Sequence, residues 1–260
     1  MPTLSISAML HVSRSGLLVQ QEGLDVTAHN LANINTNGFK HSRAEFQELL
    51  SNRLEAPPAE SGRNSGEAAG AILTNTTRIF SQGTLEFSEY DWDMAIEGEG
   101  FFQVQMPDGT RAYTRDGTFR LDGEGRLVNA KGYLFMPTVT IPPDAEETMI
   151  NGDGEVMVRR TGETEPQVVA TIQLARFTNA SGLDTVGDNL FVPSDASGPA
   201  IVGQSGSEGF GAVVNHALEK STVDLSREVV EMIGGQRAYS LMARALSTTD
   251  EMMGLAAQLR

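Results

Sequence analysis

A few residue groups in the sequence have types and spacings that could do chemistry. Gly98-Glu-Gly100 has the first two glycines of a dinucleotide-binding loop, but the third is missing and a strand pattern follows where a helix is needed. Residues 151–155 have the acidic start of a calcium loop. However, Val156 stands where that loop needs glycine, and Gly162 stands where it needs glutamate. We therefore interpret both stretches as turns.

Metal and acid–base sites are also poorly supported by the spacing. His11 and His29 lie 18 residues apart, or about 27 Å along a helix, which is too far to bind one metal. Asp91 and Asp93 form a carboxylate pair, yet acidic residues number 34 and such pairs carry little information. The chain has no cysteine, which excludes disulfides and thiolate zinc sites. The sequence predicts no catalytic, cofactor-binding or metal-binding residue, and no enzyme activity.

The two ends of the chain carry apolar residues at a seven-residue spacing, which marks one seam of a helix. A second seam position is only partly apolar in each segment, so the pattern predicts helices that need partners. We expect helices of about 43 Å over residues 5–33 and about 55 Å over residues 222–258. The seam residues, which we expect at subunit interfaces, are Leu10, Leu17, Leu24, Leu31, Leu225, Met232, Tyr239, Leu246 and Met253.

The middle of the chain has short alternating strands with turn residues every 6–12 positions, a pattern typical of an antiparallel β-domain. Pro107-Asp-Gly109 is one such turn, because proline presets φ and glycine permits positive φ. The expected strands are Phe101–Gln105, Arg111–Thr114, Thr118–Leu121, Arg126–Val128, Gly132–Phe135, Thr138–Ile141, Thr148–Ile150, Glu155–Val158 and Val168–Phe177.

These patterns predict an α+β fold in which the terminal helices pair side by side in a coiled-coil-like manner. Residues 1–40 and 221–260 form a terminal helical polymerisation domain in this interpretation. Residues 76–193 form the central, mainly antiparallel β-domain. The remaining segments, of low complexity in part, are expected to be extended connectors: 41–75 and 194–220. The alternative that each helix packs on the core of its own chain stays open.

Charge separates the middle of the chain from its ends. The 260 residues include 19 Lys+Arg and 34 Asp+Glu, a net charge of −15. Residues 1–50 and 221–260 each have a net charge of −1, which leaves −13 for residues 51–220. Acidity argues against nucleic acid as the main partner, because phosphate binding depends on Lys and Arg.

No apolar run approaches 18 residues, which excludes direct membrane insertion by a helix.

Three further stretches are specific in type and position. The first is rich in asparagine and ends in glycine after the first helical seam, which predicts a helix stop followed by an apolar anchor, Phe39. The second opens the β-domain, and the third lies within the C-terminal helix. Their residues are Asn30, Asn33, Thr36, Gly38, Phe39 and Lys40; Gly98, Gly100, Phe101 and Phe102; and Gln236, Arg237, Ala238 and Tyr239.

The order of the three stretches and their positions along the chain resemble those of the flagellar rod and hook protein family of bacteria. The resemblance covers essentially the whole chain. The length and the Tyr113–Gly117 hairpin look most like the distal rod member of that axial family. The resemblance implies a structural subunit of the flagellar basal-body rod. Such a subunit polymerises helically with copies of itself into the hollow drive shaft that transmits torque from motor to hook.

The resemblance also implies partners and a location. The partners would be neighbouring rod and hook axial proteins, the flagellar type III export apparatus and surrounding bushing rings, with no cofactor. The location would be the basal body in the cell envelope. Residues 1–10 contain no Lys or Arg, so they lack the positive region of a secretory signal, and we expect export without a cleaved signal peptide.

Two alternatives remain at this level. A proximal rod protein or another axial subunit would share the same motifs, and the segment 51–71 is shorter than is typical of distal rod proteins. A soluble β-domain that acts as an enzyme or binds carbohydrate belongs to a different class.

Gly234-Gly235 within the C-terminal helix would serve close helix approach or a bend, or would simply be tolerated there.

Overall fold

The computed structural model describes residues 6–50, 68–162 and 165–258. Both helices expected from the seams are present: α1 spans Ile6–Ala32 and α2 spans Leu225–Gln258. α2 begins later than expected because Asp224 caps it. The Asp224 carboxylate accepts hydrogen bonds from the backbone N–H groups of Ser226 and Arg227, at 2.8 and 3.2 Å.

The chain divides into two compact units. The first combines the described residues of Met1–Ala32, Ser42–Thr77 and Asp224–Arg260, and the second combines Asn33–His41 with Arg78–Val223. In the first unit α1 contacts α2. It also contacts the first strand of a two-stranded sheet, whose strands are β1 (Ser42–Leu50) and β2 (Ala68–Arg78). Most of the low-complexity segment, residues 51–67, lies outside the described residues.

The second unit is built from short strands. They are β3 (Leu85–Phe87), β4 (Met94–Glu97), β5 (Phe102–Gln105), β6 (Arg111–Thr114), β7 (Phe119–Leu121), β8 (Leu127–Asn129), β9 (Leu134–Met136), β10 (Ala145–Ile150), β11 (Glu155–Arg160), β12 (Gln167–Thr171), β13 (Gln173–Arg176), β14 (Asp184–Gly187), β15 (Leu190–Val192), β16 (Ile201–Gln204), β17 (Ala212–Asn215) and β18 (Ala217–Glu219). One turn of 3-10 helix, Ala180–Gly182, precedes β14.

The largest sheet described has the order β14-β15-β6-β5-β9-β8-β7, and β10-β11-β12 form a second sheet. The remaining pairs are β13-β16, β17-β4 and β18-β3. The strand pairs with a resolved register in this unit are antiparallel. The structure therefore has the expected α+β class with a central antiparallel β-unit.

The structure corrects the expected boundaries in four places. The described residues of the expected connector 41–75 are not an extended linker, because they belong mostly to the paired strands β1 and β2. Residues 194–220 are not an extended connector, because they contain β16, β17 and β18, each paired with an earlier strand. Thr138–Ile141 is not a strand: only Thr140 forms an isolated bridge, although Val139 and Ile141 are buried. The single strand expected over Val168–Phe177 is divided into β12 and β13, which belong to different sheets.

Two apolar clusters fill the second unit, and adjacent phenylalanines enter different ones. Phe102 lies in the larger cluster, with its ring 5.2 Å from that of Phe119. Phe101 lies in the smaller cluster, with its ring 5.3 Å from that of Phe80 and 5.7 Å from that of Phe177. Successive side chains of an extended segment point to opposite faces, so the pair joins the two clusters.

Candidate assembly surface

The two terminal helices contact each other through small residues. A Cβ atom added at Gly235 of α2 would lie 2.8 Å from Leu24 Cδ2 of α1, whereas Gly234 faces open space. A Cβ atom at Gly16 of α1 would lie 3.0 Å from the sulfur of Met242. The two glycines therefore differ. Gly235 permits the close approach of the helices, whereas no contact of Gly234 explains why glycine stands at that position.

The predicted seam is only partly buried in the single chain. Half-buried members are Leu17, Leu24, Leu31, Met232 and Leu246. By contrast, the side chains of Leu225 and Tyr239 are 52% and 41% exposed. The side chains of Leu10 and Met253 lie outside the described residues. The seam is thus not a continuous buried line between the two helices.

α2 leaves a broad apolar face open to solvent. Val230 is 70% exposed, although valine is normally among the most buried residue types. Ile233 and Leu241, further along the same helix, have the same exposed character. The large apolar side chains exposed on α2 are Leu225, Val229, Val230, Ile233, Tyr239, Leu241 and Met252. Apolar surface exposed to this extent marks a candidate interaction surface.

The Gln236–Tyr239 stretch lies on this same helix. Gln236 and Arg237 are exposed, Ala238 is half-buried, and none of the three has a side-chain hydrogen bond among the described contacts. Gln236 and Arg237 therefore contribute to the surface of α2, whereas Ala238 is partly enclosed.

Asn30, the first residue of the asparagine-rich string, ties α1 to the adjacent strand. Its side chain is 1% exposed, and its amide nitrogen donates to the Ser42 carbonyl at 2.8 Å. The Ser42 N–H donates in return to the Asn30 side-chain oxygen at 3.0 Å. The same amide nitrogen lies 3.3 Å from Glu228 of α2, which is also buried. Asparagine suits this position because it supplies a donor and an acceptor together.

The rest of the string enters the second unit. Thr36 Oγ1 donates to the Asn33 side-chain oxygen at 3.1 Å, which stabilises the turn that follows α1. Gly38 has φ of +67°, and a Cβ atom there would lie 2.5 Å from the Arg115 backbone. Only glycine meets both conditions. The Gly38 N–H donates to the Glu219 carbonyl at 2.7 Å, which brings the two ends of the unit together.

Lys40 lies in a buried ionic cluster. Its Nζ donates to Glu219 Oε1 at 2.6 Å and to the Ser81 carbonyl at 2.5 Å. Glu219 also accepts from the Gly83 N–H at 2.6 Å, and its second oxygen lies 3.4 Å from Arg115 Nη1. The exposed fractions of Lys40 and Glu219 are both 1%. We call Lys40, Arg115 and Glu219 the ionic anchor.

The ionic anchor holds two cations against one carboxylate. Desolvation by burial lowers the pKa of Lys40 and of Arg115, and the Glu219 charge opposes that shift in both. Arg115 also donates to the Gly98 carbonyl at 2.8 Å. Backbone carbonyls and one carboxylate therefore compensate the two charges together, which makes Glu219 essential to the cluster.

The glycines of the second specific stretch serve the same region. Gly98 and Gly100 have φ of +110° and +144°, where other residues are strained. A Cβ atom at Gly98 would lie 3.0 Å from Gly211 Cα, and one at Gly100 would lie 3.2 Å from the Leu174 side chain. These glycines thus permit close backbone packing beside Arg115 and do not form a nucleotide loop.

Sequence reasoning missed Arg115 and Glu219. Arg115 lies within the Tyr113–Gly117 hairpin that contributed to the family resemblance, but nothing in its spacing indicated burial. Lysine is rare, with Lys40 one of three in the chain, and that scarcity was the available signal for a special position.

The described residues contain no group of three or more His, Asp or Glu side chains placed to hold a metal ion. A cleft of about 1000 Å³ in the second unit is lined by several carboxylates, including Asp91. Its neighbour in the sequence pair, Asp93, is buried and accepts a hydrogen bond from Ser88 Oγ at 2.5 Å. No helix among the described residues is both long and apolar enough to cross a bilayer.

The fold and these contacts define a class: a structural subunit whose terminal helix presents apolar surface for association. Three family profiles agree with this. The profile described as flagella basal body rod protein matches residues 10–40, and the flagellar hook protein FlgE/F/G D1 domain matches residues 95–158. The flagellar basal body rod FlgEFG protein C-terminal profile matches residues 214–259.

Individual relatives cover nearly the full length. The chain is 38% identical to the flagellar basal-body rod protein FlgG of Caulobacter vibrioides, with 96% of this chain and 98% of the relative aligned. It is 40% identical to FlgG of Buchnera aphidicola subsp. Schizaphis graminum, with the same coverage. FlgF of Caulobacter vibrioides is 32% identical, with 94% of each chain aligned.

The chain belongs to the flagellar basal-body rod protein family. It is a structural subunit of the bacterial flagellar basal body and not an enzyme, which removes the soluble enzyme or carbohydrate-binding alternative.

Proposed function

We propose that the chain polymerises with copies of itself through its terminal helices into a hollow helical shaft that transmits torque from motor to hook. The apolar face of α2 carries this proposal. Its side chains remain exposed although α1 already packs on the same helix. Burying one valine-sized side chain contributes about 1.5–3 kcal/mol, so a shared interface of several such residues would favour association strongly.

Coiled-coil-like pairing of α1 and α2 is part of the proposal. The close approach at Gly235 and Leu24 and the half-buried seam residues support it. We further propose the seam residues as subunit contacts, and residues 1–40 with 221–260 as the polymerisation domain. The acidic β-unit would form the outer layer, where like charges keep the surface solvated.

We place the subunit in the distal rod, next to other rod and hook proteins and inside the bushing rings of the cell envelope. The higher identity to relatives named FlgG than to the one named FlgF supports this position over that of another axial subunit. Export through the flagellar type III apparatus completes the proposal.

Electron microscopy of the purified full chain tests the polymer. We expect tubes above a critical concentration, with the terminal helices lining the lumen. Val230→Glu should raise the critical concentration at least about tenfold, because it places a charge on the apolar face. Gln167→Glu adds the same charge at an exposed polar position of strand β12 in the second unit and should change the critical concentration less than about threefold. Equal effects of the two variants, or no polymer from the wild-type chain, would contradict the proposal.

A further inference from the structure

Arg78, at the end of β2, is held between two aromatic rings of the second unit. Its guanidinium carbon lies 5.1 Å from the ring centroid of Phe191 and 5.9 Å from that of Phe39. Both rings are almost fully buried, with exposed fractions of 1% and 2%. The Arg78 carbonyl accepts a hydrogen bond from Ser181 at 3.0 Å, which also fixes the backbone. Stacking on aromatic faces is a favoured environment for arginine.

Arg78 differs from the other arginines of this unit in its charge partners. Every other arginine of the described second unit that is partly or fully buried has a carboxylate within 4 Å. These pairs are Arg115–Glu219, Arg126–Asp122, Arg159–Glu147, Arg160–Asp144 and Arg176–Glu99. Among the described residues Arg78 has no such carboxylate and no side-chain hydrogen bond, in a chain where acidic residues outnumber basic ones by 15.

The donors of Arg78 remain accessible. The nitrogens that are buried without a partner in the described part of the chain include one of Arg115 and one of Arg160, but none of Arg78. Because Arg78 is half-buried and has no side-chain hydrogen bond among the described residues, its guanidinium nitrogens keep some exposure to solvent. Burial lowers the pKa of Arg78, which reflects lost hydration that no carboxylate of the described residues compensates.

We propose that Arg78 is a docking point for a carboxylate of a second copy of this chain in the polymer. Charge complementarity identifies the occupant, because each copy has a net charge of −15 and presents many exposed carboxylates. A guanidinium already fixed by two rings loses little conformational freedom on binding, and its planar fork matches a carboxylate in two parallel hydrogen bonds. This inference rests on the proposed self-assembly and adds a polar contact outside the terminal helices.

The test measures the critical concentration for polymer formation by sedimentation of the full chain at low ionic strength. Arg78→Met keeps the apolar stem on the rings but removes the donors, and we expect about a tenfold rise. Arg78→Lys keeps the positive charge but lacks the planar guanidinium fork, and we expect the critical concentration to rise about threefold. Arg111→Met removes an exposed arginine from β6 with the same change in net charge, and we expect less than about a twofold change.

Thermal unfolding of the dilute, unassembled variants separates the possible occupants. We expect the midpoint of Arg78→Met to fall slightly and by the same amount at low and high salt, because the two ring contacts are lost but no carboxylate of the described residues is. A midpoint that falls at low salt and recovers at high salt would mean an occupant in the same chain and would overturn the inference. Equal critical concentrations for Arg78→Met and wild type would overturn it while leaving the polymer intact. A wild-type chain that never assembles would overturn both.

Discussion

Substituting Glu219 by glutamine tests whether the ionic anchor stabilises the β-unit. The carboxylate of Glu219 accepts from Lys40 at 2.6 Å and from Gly83 at 2.6 Å, and it lies 3.4 Å from Arg115. The glutamine variant keeps the size of the side chain and one acceptor. It removes the negative charge and leaves two buried cations facing an amide.

The expected loss is large for a single substitution. Removing one partner of a buried ion pair typically costs about 3–5 kcal/mol. The amide oxygen of the Glu219→Gln variant would retain part of the hydrogen bonding, so we expect a loss of about 3 kcal/mol. For a unit of this size that corresponds to a fall of about 6–12 °C in the unfolding midpoint. Adding Lys40→Met should restore part of the loss, because it removes one of the two uncompensated cations.

Fluorescence of Trp92 provides the assay, because it is the only tryptophan of the chain and packs on the larger core cluster. Glu86→Gln is the matched control: its carboxylate pairs with Lys220 at 3.1 Å but is 60% exposed, so we expect less than about 1 kcal/mol. If Glu219→Gln and Glu86→Gln unfold at the same temperature, the anchor does not stabilise the unit. A double variant less stable than Glu219→Gln would contradict the charge argument in particular.

Three further predictions concern single positions. Gly38→Ala should lower stability in urea unfolding by about 3 kcal/mol, because φ is +67° and a neighbouring backbone lies 2.5 Å from the new Cβ. Gly235→Ala should gain less stability in urea unfolding than Gly234→Ala, which should gain about 1 kcal/mol, because the Leu24 side chain must shift to admit a Cβ atom at Gly235; equal effects would refute the assigned asymmetry. Burial raises the pKa of Asp116, so its ionised form opposes folding at neutral pH. Asp116→Asn should therefore unfold about 2–4 °C higher than wild type near pH 7, with no gain at about pH 3, where the carboxyl is protonated in both states.

Much of the fold follows from local pattern. The seven-residue spacing predicted both helices, and the Pro-Asp-Gly turn predicted the pairing of β5 with β6. These signals are strong because periodicity and turn chemistry act over a few residues. The strands in residues 194–220 gave no such signal, because glycines at positions 206, 209 and 211 interrupt the segment between β16 and β17.

The sequence predicted part of the assembly surface but not the ionic anchor. Apolar spacing on α2 predicted an interface helix, but not that Val230, outside the seam, would be the most exposed of the large apolar side chains described on it. The anchor joins Lys40 to Glu219, which is 179 positions away. No local pattern encodes a pair of such separation, and only the folded topology brings the two together.

The position of Glu219 near the end of the chain has a consequence for timing on the ribosome. Synthesis delivers Lys40 and Arg115 long before the carboxylate that neutralises them. Until strand β18 emerges, a collapsed β-unit would enclose two positive charges, and that cost opposes premature folding. That cost disfavours a closed β-unit until β18 has been made, which would suit the export through the flagellar type III apparatus that we propose.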